Sequence, residues 1–184
     1  MPATIRKMAG YTLTRLQSCP PWRWVCRRLL RGVIITEASD SDLVYVNTRL
    51  NPGFPYTPSP PNPAVTNLVA TWHRRMLGFV QLVRHPPSHS PYVGYWLFSL
   101  YTLHPRYRGL GIGEALSRAL IAIARQEGAE ELFLVVYQTN HQAIRLYQKL
   151  GFQQVCLPVL EEQLEEEGRL QGKRRISMVK RLHE

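Results

Sequence analysis

With 184 residues and 45% hydrophobic content, the chain is long enough for one domain with a real core and is ordinary in its apolar share. It contains no run of about 18 apolar residues, so a helical membrane span is not expected. The net charge of +10 is uneven: Arg6, Lys7, Arg15, Arg23, Arg27, Arg28 and Arg31 put +7 on residues 1–36, which hold no acid, and leave +3 for the other 148, so the rest is not strongly basic.

Residues 1–32 read as a basic N-terminal arm. Within it, "PPWRWVCRRLLRG" (20–32) predicts a short helix between two prolines and Gly32. Trp22, Val25, Cys26, Leu29 and Leu30 form one apolar stripe, and the arginines lie off it. Three uses stay open: packing or plain extension, contact with an anionic membrane or partner, and an Arg-rich targeting segment. A secretory leader is not expected, because there is no continuous apolar stretch with a small-residue cleavage site. The cysteines, Cys19, Cys26 and Cys156, are odd in number and lack zinc-site spacing. Reduced thiols, a cytoplasmic location and no metal follow as expectations.

"GVIITEA" (32–38) predicts the first strand, and "SDSDLVYVNTRL" (39–50) a helix capped by Ser39 or Asp40. Six prolines in residues 51–66 predict an extended loop, either a binding edge or lid or a stiff connector. "NLVATWHRR" (67–75) and "MLGFVQLVRH" (76–85) read as a hairpin, "PPSHSP" as a turn, and "YVGYWLFSLYTLH" (92–104) as a long strand. His73, His85 and His89 have no acidic or histidine partner at ligand spacing and read as surface residues. Between Gly111 and Gln126, Ile112, Ala115, Leu116, Ala119, Leu120 and Ile123 keep helical spacing, closed by Gly128. "ELFLVVY" (131–137) is a buried strand, and "NHQAIRLYQKL" (140–150) a helix capped by Asn140 and ended by Gly151. "FQQVCLPVL" and "RRISMVKRL" form a last strand pair, with "EEQLEEEGRLQGK" (161–173) as a solvated connector whose acids are balanced locally by Lys173, Arg174 and Arg175. Strands followed by crossover helices imply a mixed sheet with helices on its faces.

"HPRYRGLGIGEALSRAL" (104–120) puts three glycines where a strand gives way to a helix. The first N–H groups of a helix lack internal partners and face the positive end of its dipole, so an anion binds there readily. Bare backbone at Gly109, Gly111 and Gly113 admits a pyrophosphate, and Arg108 adds a cation; a plain tight turn is the alternative. The stretch is not a P-loop, since G-x-x-x-x-G-K-[ST] is absent, and G-x-G-x-G misses the dinucleotide fingerprint.

Here the chain resembles the GNAT acetyltransferase superfamily. Arg108, Gly111 and Gly113 fill its R-x-x-G-x-G signature. Asn140, Ala143, Tyr147, Gly151 and Phe152 fill N-x-x-A-x-x-x-Y-x-x-x-G-F, with one helix and one strand between the motifs. The resemblance implies an α/β fold (α+β by some schemes) over residues 33–184. Its mixed, mostly antiparallel central sheet would be split by the CoA site and flanked by helices. The strand before the glycine loop would splay from its neighbour at a bulge, and backbone near Thr102 and Leu103 would pair with pantetheine. Amides of Gly109, Leu110, Gly111, Ile112 and Gly113, with Arg108, would hold the pyrophosphate. Asn140 would face the cofactor, cap its helix, or both. Tyr147 would give a proton to the departing thiolate, or else pack its helix against the sheet. A thiol of pKa about 8.5 and a phenol of about 10 differ by roughly 2 kcal/mol, small enough for transfer.

The implied activity is acetyl-CoA-dependent transfer, without metal, to a primary amine of a peptide, protein or small molecule, and the resemblance leaves room for a homodimer. The glutamate common in such strands is missing from residues 92–103; Tyr95, Ser99, Tyr101 and His104 are polar, but none is a clear base. Neutralising a lysine near pH 7 costs roughly 4 to 5 kcal/mol and an α-amino group about 1, which tilts the expectation toward a low-pKa amine. A CoA-binding regulatory module, and a membrane or nucleic-acid binder acting through the arm, remain the alternatives.

Overall fold

The structure, a computed structural model, describes residues 32–50, 62–87, 92–103 and 107–183. The expected arm helix, Cys19, Cys26, His89, His104 and most of the proline loop lie outside the described residues.

The elements run β1 (Ile34–Glu37), α1 (Asp40–Leu50), β2 (Val65–Trp72), β3 (Arg75–His85), β4 (Gly94–Thr102), α2 (Ile112–Gln126), β5 (Glu131–Tyr137), α3 (His141–Lys149), β6 (Gln153–Val155), α4 (Pro158–Gln171) and β7 (Arg175–Arg181). Seven strands are hydrogen-bonded in the order β1-β2-β3-β4-β5-β7-β6. β1 with β2, β5 with β7 and β6 with β7 are antiparallel, while β4 and β5 are parallel. The mixed sheet with helices between its strands is the expected class. Contacts divide the chain into two compact units, through both of which β3 and β4 run.

The first unit comprises β1, α1, most of β2, the start of β3, the end of β4, the glycine loop and the first turn of α2. Ser39, not Asp40, caps α1. Its amide donates to Asp42 Oδ2 at 2.9 Å, and the Asp42 amide donates to Ser39 Oγ at 3.3 Å, a reciprocal capping pair. The helix buries Val46 against Val69 and Phe79. The hairpin turn is His73-Arg74, two residues earlier than the sequence places it. Both have left-handed φ, +46° and +60°, as a turn matched to strand twist demands. Neither glycine nor asparagine stands there to announce it.

Gly78 on β3 has no sequence signal either. A Cβ there would lie 2.8 Å from the Tyr101 carbonyl oxygen and 2.9 Å from Leu116 Cδ1. Bare backbone thus lets β3, the end of β4 and the start of α2 close on one another. Gly78→Ala is expected to lower stability by about 1 to 3 kcal/mol, the usual cost of overpacking. Denaturant melts check this; an unchanged midpoint would show that the contact relaxes freely.

In the second unit, the Arg84 guanidinium grips both oxygens of Glu127, with Nε to Oε2 at 2.6 Å, and also donates to Thr66 Oγ1 at 2.9 Å. It ties β3 to the C-terminal end of α2. That end closes as expected: Gly128 has φ +79°, its amide donates to Arg125 and the Ala129 amide to Ala124, both at 3.0 Å.

Residues 158–171 depart from the sequence reading. The expected strand end and solvated connector are one 14-residue helix, α4, and β6 is only three residues long. Pro158 sits in its first turn and Gly172 ends it with φ +66°. Leu160 and Leu164, one helical turn apart, are buried against Trp96, with Phe98 and Phe133 packed around them. The helix's glutamates find the expected local balance: Glu161 and Glu165 reach Arg174, and Glu167 reaches Arg175. His85 is half-buried, 6.0 Å from the Tyr92 ring and 6.2 Å from Phe98 by centroid, while His73 is exposed as expected.

Candidate active site

β4 carries the first element of the site. Ser99 has φ +53°, left-handed backbone that a non-glycine residue adopts only where its surroundings impose it. The parallel ladder with β5 covers Tyr95↔Leu132 and Trp96↔Phe133 and goes no further. The pairing thus ends before Ser99, on the stretch where the resemblance implies a splay. Below it, the Leu103 amide donates to the Leu77 carbonyl at 2.9 Å, so that N–H is already taken by β3. Of the two residues singled out for pantetheine, Leu103 therefore has its N–H engaged within the sheet.

The glycine loop follows. Arg108 is exposed, and Gly109 and Gly111 have φ of +76° and +86°. These two glycines are needed for conformation as well as for bareness. α2 begins at Ile112, and the Gly111 carbonyl accepts from the Ala115 amide at 2.9 Å. Ile112, Gly113 and Glu114 open the helix directly after that glycine. Ile112 is buried and anchors the turn, and Leu110 is half-buried. Gly113 lies inside the first turn.

Asn140 and Tyr147 stand on α3 in the second unit. Asn140 Oδ1 accepts from the Ala143 amide at 3.2 Å, so the capping role is real. Tyr147 is only 6% exposed, its ring 5.7 Å from Phe152 and edge-on. The Phe152 amide donates to the Tyr147 carbonyl at 2.9 Å, which closes the helix at Gly151. Burial pushes the Tyr147 phenol up to about 12. It is therefore neutral at any ordinary pH. Among the polar residues of β4, Tyr95 lies under the Arg84 guanidinium at 6.0 Å and Tyr101 is exposed. Among the described residues, no group of three or more His, Cys, Asp or Glu is placed to hold a metal, and no helix is long and apolar enough to cross a membrane.

A model of the acetyltransferase (GNAT) family matches residues 40–152. The chain belongs to the GNAT acetyltransferase family. The matched span runs from α1 to Phe152 and includes the glycine loop, Asn140 and Tyr147. Mycothiol acetyltransferase of Saccharomonospora viridis is 35% identical over 83 residues, 44% of this chain and 27% of that one. The match thus spans less than a third of the length of such curated relatives. The ribosomal-protein-S18-alanine N-acetyltransferase of Escherichia coli shares the fold, with TM-score 0.59 and 24% identity over 82% of this chain and 94% of the other. So does a Bacillus anthracis protein, assigned as a streptothricin acetyltransferase and crystallised with acetyl coenzyme A: TM-score 0.59, 16% identity, 81% and 97% coverage. Within this GNAT chain, Gly78 and the left-handed φ of Ser99 are the site-shaping features that carry no signal in the sequence. The constraint on Gly78 comes from Tyr101 on β4 and Leu116 on α2, which no local pattern records.

Proposed function

We propose that the protein transfers the acetyl group of acetyl-CoA to a primary amine by direct attack. The observation that carries this reading is the pair of left-handed glycines at the start of α2 in a chain of the GNAT family. On this reading the amides of residues 109–113, with Arg108, seat the pyrophosphate, and Thr102 backbone pairs with the pantetheine arm. The amine nitrogen attacks the thioester carbon, the C–S bond breaks, and the sulfur leaves as a thiolate.

Tyr147 faces that sulfur in the proposal, and its raised pKa changes what it does there. A full proton transfer from a phenol at about 12 to a thiolate whose thiol has a pKa of about 8.5 costs roughly 5 kcal/mol, against 2 for an ordinary phenol. Tyr147 therefore acts as a permanent hydrogen-bond donor to the charge developing on sulfur. The proton that completes the thiol comes from the nitrogen, which becomes acidic once it is bonded to the acyl carbon. Residues 94–102 hold no carboxylate base, so an amine already partly neutral, such as an α-amino group, is the favoured acceptor. The exposed free thiol of Cys156 suits a reducing compartment, and the cytoplasm is the proposed location.

Thiol release from acetyl-CoA with a broad panel of primary amines tests the reading. Release with at least one amine, and mass spectrometry showing one added acetyl group, is the expected result. Saturable acetyl-CoA binding with no release from any amine would instead make the chain a CoA-binding regulatory module.

A further inference from the structure

A cavity of about 470 Å³ lies in the first unit between α1, the β2–β3 turn and Tyr107. That volume suits a small organic ligand. Its walls carry Arg49, Arg74 and Arg75 against a single carboxylate, Asp42. Asp42 Oδ2 accepts from the Ser39 amide at 2.9 Å and the Ser39 hydroxyl at 2.7 Å, in the α1 cap, and one carboxylate leaves the wall with an excess of positive charge. Among the described residues, none of the three arginines has a carboxylate within ion-pair distance. Arg49 lies over the Tyr45 ring, 5.6 Å from its centroid, which restrains it at the wall. Arg74 occupies the left-handed turn and Arg75 begins β3, and both line the same cavity. Three cations sharing a concave wall repel one another unless an anion separates them. A guanidinium fork is also the side chain best shaped for a carboxylate or phosphate.

We infer that this cavity binds the acid group, carboxylate or phosphate, of the amine that accepts the acetyl group. This rests on the acetyltransferase reading, and it narrows the acceptor to a small amino acid-like or phosphorylated amine. The tyrosines and Met76 offer an apolar surface to the rest of that molecule. Tyr107 belongs to the cavity and directly precedes Arg108, so the cavity adjoins the glycine loop along the chain.

The test uses the full chain and product-like probes, N-acetyl-L-phenylalanine and N-acetyl-L-glutamate, each against its uncharged carboxamide, by titration calorimetry. The acids are expected to bind at least about tenfold more tightly than the amides. In Arg74→Gln/Arg75→Gln the two should bind alike, while Lys173→Gln, on the surface outside the cavity, should keep the difference. Equal binding of acid and amide in the native protein, or a preference that survives the double substitution, overturns the assignment. The same variant is titrated with acetyl-CoA and its 3′-dephospho analogue. A loss confined to acetyl-CoA would give the cavity to the cofactor's phosphate and likewise overturn it. Thiol release with L-phenylalanine and L-phenylalaninamide separates the two readings. Release without any acid preference removes the anion site and leaves the transferase. Acid binding with no release from any amine removes the acceptor role along with the transferase.

Discussion

Gly111→Val is expected to abolish measurable acetyl-CoA binding, raising Kd by more than about 100-fold, or roughly 2.7 kcal/mol. Two effects add. Gly111 has φ +86°, a conformation that costs an L side chain on the order of 1 to 2 kcal/mol and a β-branched one more. A side chain at the cap would also project where the diphosphate must approach the first amides of α2. Gly172→Val separates the two effects. Gly172 has φ +66°, and a Cβ added there would meet nothing within 4 Å, so that variant bears the strain without obstructing the loop. It should melt lower yet bind acetyl-CoA as the native protein does. Calorimetric titration of both variants settles the matter; native affinity in Gly111→Val would remove the pyrophosphate seat.

Tyr147→Phe should lower kcat by about 100-fold, at the low end of what a positioned donor contributes. KM for acetyl-CoA should stay within about twofold, because the donor acts on charge that exists only as the C–S bond breaks. The phenol also leaves a signature in stability. Its pKa is about 10 unfolded and about 12 folded, so the folded state keeps the proton longer. Stability from this group is complete below pH 10, and about 2 to 3 kcal/mol is lost as the pH rises from 10 to 12. Tyr147→Phe should not show that loss, which denaturant melts at pH 9 and pH 12 would reveal. Equal kcat in variant and native protein would remove the catalytic role and leave Tyr147 as a packing residue.

Sequence alone makes legible what is written locally. α2, β5 and α3 can be placed almost to the residue, because Gly128, Asn140 and Gly151 punctuate them and the apolar spacing between is regular. The glycine loop is legible for the same reason, being one contiguous stretch. α4 is not: Leu160 and Leu164 keep helical spacing, but eight of its 14 residues are glutamate, glutamine or glycine, and that polarity masks the period. Gly78 is silent in sequence because its obligation comes from Tyr101 and Leu116, more than 20 positions away. The arginine-lined cavity is equally hidden. Asp42, Arg74 and Tyr107 are about 30 positions apart in turn, and nothing in the chain announces that they share a wall.

The early end of the β4–β5 ladder has a further consequence. Past Phe133, β5 is bonded to β7 along one side, and among the described residues its other row of donors and acceptors meets no neighbouring strand. An unsatisfied row of this kind attracts any extended peptide, including a stretch of another copy. On the proposed reading the thioester carrier pairs with the facing row of β4 whenever it is present. Starvation for the carrier would then do more than halt turnover: it would uncover an adhesive seam in the middle of the sheet, and the nutrient state of the cell would bear on how long the protein stays dispersed.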